Sequence, residues 1–176
     1  MRMYPTFLAR AFDALRYRSG FLLSNLKWRL VGLRMGRDVQ IYSQVIIHDA
    51  ARVSIGDNSS ILSFSVLFGS GGIAIGRDVM IASHCSIFSI THSVDALKRG
   101  LVFRKTRTMA PVAIGDNVWI GTGARILPGV SIGANTVVGA GSVVNRSLPS
   151  GVVAAGVPAK IVRRLDEGPV EARETA

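Results

Sequence analysis

Three histidines, His48, His84 and His92, are the side chains of this sequence best suited to move a proton near neutral pH, because an unperturbed imidazole titrates at about 6.5. A neutral imidazole can take a proton from an attacking nucleophile and return it to a leaving group, work typically worth about 10² to 10⁴ in rate. Cys85 is a nucleophile by type, but as the only cysteine it allows neither an intrachain disulfide nor a cysteine-built zinc cluster. The elements that would position these groups are legible as a repeat.

From Ile114 a branched aliphatic residue returns every sixth position, as Ile120, Ile126, Ile132, Val138 and Val144. A second column of small or β-branched residues follows it: Val118, Ala124, Val130, Thr136 and Ser142. The pattern occurs earlier as Ile75, Ile81 and Ile87 with Val79, Cys85 and Thr91, and as Ile55, Ile61 and Leu67 with Ser59 and Ser65. A period of six suits neither a helix nor a long straight strand. It suits short strands separated by sharp corners, stacked into coils about 4.8 Å apart. Glycines 56, 76, 115, 121, 133 and 139 follow column residues and are expected in backbone conformations that a β-carbon disfavours. Cys85 falls in an inward column and reads as core. Trp119 reads as a packing residue. All three histidines lie outside the inward columns, so the register does not rank them.

The 176 residues, 48% of them hydrophobic, fit one mainly β domain with a modest extension. Only 18% are charged and the 19 glycines follow no triplet, which excludes disordered and collagen-like chains. The formal charge of +10 calls for anionic partners. No recognition motif accompanies it, so nucleic acid is not expected. The absence of a long apolar run, a signal sequence and a cysteine pair leads to a cytoplasmic expectation.

Three segments are expected. Residues 1–38 form a basic amphipathic segment, with Phe7, Leu8, Phe12, Leu15, Leu22, Leu26, Leu30 and Leu33 at helical spacing among arginines and lysines. It is read as a cap on the open end of the repeat, or as a contact with an anionic inner membrane surface. Residues 39–165 hold the repeat, interrupted at about 93–110 by a loop with five basic residues, and 166–176 form a flexible tail.

IGDNVWIGTGARILPGVSIGANTVVGAGSVV at 114–144, GVVAAGVPAKIVRRL at 151–165 and ITHSVD at 90–95 together resemble the hexapeptide-repeat acyltransferases, in particular the maltose and galactoside O-acetyltransferases and those of surface-polysaccharide clusters. The resemblance implies a left-handed parallel β-helix of triangular section, against the usual right-handed crossover. It also implies a homotrimer with acetyl-CoA sites between subunits. His92 aligns with the family's catalytic histidine and becomes the expected general base, with Asp95 orienting it or binding the acceptor. Thr122, Ala140, Asn145, Arg146, Lys160 and Arg163 stand where the family lines its coenzyme groove. The inserted loop would wall the active site.

The implied reaction is transfer of acetyl from acetyl-CoA to a saccharide hydroxyl in surface-polysaccharide synthesis. N-acetylation of an amino sugar is the alternative within the same chemistry, and a non-catalytic β-helix scaffold is the alternative outside it. The galactoside enzymes' upstream acceptor-binding asparagine aligns near Leu62, and the amino-terminal segment differs from that of the maltose enzymes, which argues against either acceptor. A trimeric γ-type carbonic anhydrase needs two histidines close together on one edge to hold zinc. His84 and His92 are eight residues apart and His48 is far upstream, so no metal is expected.

Overall fold

The computed structural model describes residues 25–165, which wind as a parallel β-helix with three faces. Arg34–Met35, Val53–Ile55, Ile73–Ile75, Val112–Ile114 and Ser131–Ile132 make the first face. Gln40–Ile41, Ser60–Ile61, Met80–Ile81, Trp119–Ile120, Val137–Val138 and Val152–Ala155 make the second, closed at its edge by the antiparallel strand Lys160–Arg164. Ile46–His48, Val66–Phe68, Ser86–Phe88, Arg125–Ile126 and Val143–Val144 make the third. The first rung, Arg34–Met35, precedes the expected start of the repeat at residue 39.

Parallel register stacks like on like: Ile41, Ile61, Ile81, Ile120 and Val138 form one buried column. Burying each such side chain is worth roughly 1.5–3 kcal/mol. The second column carries hydroxyls because each is answered by a neighbouring coil. Ser59 Oγ donates to Gly76 O at 2.9 Å and accepts from Val79 N at 3.0 Å. Ser65 Oγ does the same with Ala82 O and Cys85 N. Cys85 is fully buried, burial pushes its thiol pKa up, and its Sγ donates to Gly121 O at 3.2 Å.

Two expectations about corners are corrected. Gly115 and Gly121 do not have positive φ. A β-carbon there would lie 2.7 Å from Ala134 N and 2.6 Å from Ala140 N respectively, so glycine is required by the close approach of the next coil. The left-handed residue comes two positions later: Gly123 after Gly121, and at the other corner Asn58, Asp78, Asn117 or Asn135, types that tolerate that region. Asn117 Nδ2 donates to Asn135 Oδ1 at 2.8 Å, tying two such corners together. At the same edge Arg37 clamps Asp57 and Arg77 clamps Asp116, each through its backbone N–H and guanidinium.

The second correction concerns Thr91 and follows from coils of unequal length. Equivalent corner residues are 18 apart between Asn117 and Asn135 but 20 apart between Asn58 and Asp78. The surplus sits where the third face turns into the first, as the short 3₁₀ turns Ala50–Arg52 and Gly69–Gly71. In the next coil that same corner expands into the inserted excursion. Thr91, expected in the inward column, is exposed on it, and Ser89 is buried instead.

Residues 25–30 are helical, and Trp28 and Leu33 enter the core at the amino-terminal end of the coils. Leu26 and Leu30, expected on the apolar face, are exposed. The other apolar residues of that pattern, from Phe7 to Leu22, and the tail at 166–176 lie outside the described residues.

Candidate active site

Ser89 anchors the excursion. Its buried hydroxyl donates to Phe68 O at 2.6 Å and accepts from Gly71 N at 2.8 Å, while Ala110 N returns to Ser89 O at 3.0 Å. From this base rises a two-stranded antiparallel ribbon, Ile90–His92 against Arg107–Met109, in which His92 stands opposite Arg107. Opposed residues of such a pair project from the same side of the ribbon. The 3₁₀ segments Val94–Arg99 and Phe103–Lys105 complete the loop, whose underside buries Ala96 and Thr106.

Beneath the ribbon is a recess of about 410 Å³. Its floor is a ladder of rings: His48 on Phe68 with centroids 4.4 Å apart and planes 19° apart, and Phe68 on Phe88 at 5.2 Å and 18°. The ladder follows from register, because His48, Phe68 and Phe88 occupy one outward position on successive rungs of the third face. Asp49 and Ser70 line one side, with Ser70 Oγ donating to Asp49 Oδ2. Thr91, His92 and Arg107 line the other.

His48, read from sequence as a solvated histidine, therefore shares a recess with His92. It remains solvent-exposed, but one face of its ring is taken by Phe68. The twenty-residue spacing of His48, Phe68 and Phe88 was the available signal, masked by the six-residue period of the inward columns. His84 lies at another corner, stacked on Phe64 at 5.0 Å. Asp95 is exposed and meets Lys98 at 3.0 Å, with no ion pair or hydrogen bond to His92 in this structure.

The expected coenzyme-groove residues fall into three groups. Thr122 and Ala140 stack at the corner between the second and third faces, where Gly141 N donates to Thr122 O at 2.8 Å. They flank a shelf left open by Gly123 and Gly141; a β-carbon on Gly141 would meet nothing within 4 Å. Lys160 and Arg163 lie on the edge strand opposite Ala155 and Val153, exposed and without an ion pair among the described residues. Asn145 and Arg146 follow Val143–Val144 at the far end of the third face. The shelf and the His92 recess thus sit at different corners of one chain. Trp119 is 49% exposed and lines a shallow cleft with Met80, Val137 and Leu165. Among the described residues no group of three histidines, cysteines or carboxylates is placed to hold a metal ion.

Comparison with known proteins agrees with this geometry. Residues 111–146 match the model for the bacterial transferase hexapeptide, six repeats. The chain is 40% identical over 97 residues to the galactoside O-acetyltransferase of Escherichia coli K12, covering 54% of this chain and 45% of that one. It is 35% identical over 142 residues to WbbJ of the same organism, provisionally named a lipopolysaccharide biosynthesis O-acetyl transferase, covering 77% of this chain and 67% of that one. It superposes on the hexapeptide-repeat acetyltransferase VCA0836 of Vibrio cholerae O1 biovar eltor, solved in complex with acetyl-CoA. That match has a TM-score of 0.73 and 31% identity, over 78% of this chain and 74% of the other. The chain spans about half the length of the curated relatives it matches first.

Proposed function

Because this chain belongs to the bacterial transferase hexapeptide family and has the left-handed parallel β-helix of its relatives, we propose that it moves an acetyl group from acetyl-CoA to a hydroxyl of a saccharide acceptor, with His92 as general base. The observation that carries this reading is the position of His92, raised on a pinned ribbon over a ring-floored recess. An acceptor in that recess presents its hydroxyl to the imidazole. The hydroxyl oxygen attacks the thioester carbonyl as the imidazole takes its proton. When the tetrahedral adduct collapses, the carbon–sulfur bond breaks and the proton passes to the coenzyme sulfur, leaving an acetyl ester and free CoA.

The chain's own residues fit the coenzyme. The open shelf at Thr122, Gly123, Ala140 and Gly141 suits a thin pantetheine arm, and Arg146, Lys160 and Arg163 are exposed cations suited to its phosphates, with Asn145 beside them. Acetyl-CoA supplies the activated acetyl group. The separation of shelf and recess within one chain supports a homotrimer in which His92 of one subunit serves the shelf of the next. The likeness to WbbJ supports a role in surface-polysaccharide synthesis.

A cytoplasmic protein touching an anionic membrane surface fits the described part of the amino-terminal segment, where Leu26, Leu30 and Val31 are exposed beside Lys27, Arg29 and Arg34. No described helix is long and apolar enough to cross a membrane.

Calorimetric titration of acetyl-CoA into the full chain tests the central reading without knowledge of the acceptor. Saturable binding near one per subunit is expected. No detectable heat or competition by free CoA would leave a repurposed scaffold as the better account.

A further inference from the structure

We propose that the acceptor is an anionic saccharide, and that Arg107 grips its oxyanion, a phosphate or a carboxylate, while the sugar ring rests against the Phe68 and Phe88 ladder. The inference rests on acetyl transfer at His92 and names the acceptor class for that site.

Arg107 stands opposite His92, so the two side chains leave the same side of the ribbon and both line the recess. Three described arginines at the corners of the coils are committed: Arg37 to Asp57 at 2.9 Å, Arg77 to Asp116 at 2.7 Å, and Arg52 to Ser70 O at 3.0 Å. Arg107 has no ion pair or hydrogen bond through its guanidinium among the described residues. The one carboxylate lining the recess, Asp49, already accepts the Ser70 hydroxyl across the floor. Lys98 is paired with Asp95, but Arg99, Arg104 and Lys105 of the same excursion are exposed and unpaired among the described residues, which makes the excursion that carries Arg107 net positive.

A neutral sugar seated here would take water from a guanidinium and give it only neutral acceptors. A phosphate or carboxylate can satisfy its fork with two parallel charge-assisted hydrogen bonds. Both faces of Phe68 are taken by its neighbours in the ladder, so the ring edges provide the apolar wall against which a pyranose sets its C–H groups. The rest of the recess is polar enough to meet hydroxyls through Thr91, Ser70 and His48.

The test is ligand-detected NMR on the full-length protein with matched probes: methyl glucoside and methyl galactoside as neutral sugars, glucose 1-phosphate and galactose 1-phosphate, and glucuronic and galacturonic acids. The charged probes are expected to bind about tenfold more tightly than the neutral ones, the scale of one charge-assisted pair in a partly solvated site. Arg107→Gln should erase that ratio and Arg107→Lys should retain part of it, with both variants keeping the wild-type melting temperature and elution volume. A preference for 1-phosphates alone identifies a glycosyl phosphate, and one for uronates alone an acidic sugar. Equal binding of charged and neutral probes, no binding of the charged ones, or an undiminished ratio in Arg107→Gln overturns the proposal. Acetyl-CoA titrated into the same samples reports separately on the transferase reading.

Discussion

At the residue scale the proposed chemistry depends on one imidazole. His92→Ala is expected to lower turnover by about 10² to 10⁴. It should leave acetyl-CoA affinity intact, because the shelf at Thr122 and Ala140 is not built on the ribbon. Steady-state rates beside a binding titration check both halves. Unchanged turnover in His92→Ala with a clear loss in His84→Ala would move the base to the other corner, where His84 stacks on Phe64. The sequence carried His92 through the ITHSVD segment, but not its surroundings. His48, Phe68 and Phe88 are twenty residues apart, and only the stacking of coils brings their rings into contact. Asp95 is close to His92 in sequence and looked like its partner, yet the 3₁₀ turn after His92 gives its carboxylate to Lys98.

At the scale of elements, the corner between the first and second faces is held by charge as well as by space. The backbone N–H and guanidinium of Arg37 hold the Asp57 carboxyl below the usual carboxylate range, and those of Arg77 do the same for Asp116. A lowered folded-state pKa contributes stability that is present above the ordinary aspartate value of about 4 and is lost as pH falls through the lower folded value. Melting temperature should therefore decline on acidification through that window. Asp116→Asn should melt lower at neutral pH and show a shallower acid decline. A parallel decline in variant and wild type would mean that the Arg77 clamp contributes no pH dependence. Both partners are partly exposed, so added salt should narrow the difference. These clamps sit at the glycine corners, whose purpose the sequence did not reveal. A repeated glycine signals either a special φ or a close neighbour, and the neighbour belongs to another coil.

At the scale of the whole molecule, the two halves of the proposed site stand at different corners of one chain. If a neighbouring copy joins them, His92→Ala protein mixed and reassembled with Ala140→Trp protein should regain about a quarter of wild-type activity, since one in four random subunit junctions pairs an intact base with an intact shelf. Reassembled mixtures as inactive as the separate variants would mean that each chain builds its own site. The amino-terminal edge has its own test. The protein should co-sediment with vesicles containing phosphatidylglycerol but not with phosphatidylcholine alone. Leu26→Ser with Leu30→Ser should weaken that binding, because both side chains are exposed while Trp28 and Leu33 are committed to the core. Equal sedimentation of wild type and double variant would remove the membrane from the account.

The columns from Ile55 to Val144 were enough to establish short stacked strands and the inward place of Cys85, because a coil with one buried residue per face writes its period directly into the chain. The family motifs added the expected base and the coenzyme shelf. What the tertiary structure alone decided is how coils of unequal length meet. It put two extra residues at one corner, grew the His92 ribbon from that corner, stacked three rings beneath it and set Arg107 opposite the histidine. These are contacts between residues far apart along the chain, and no local period records them.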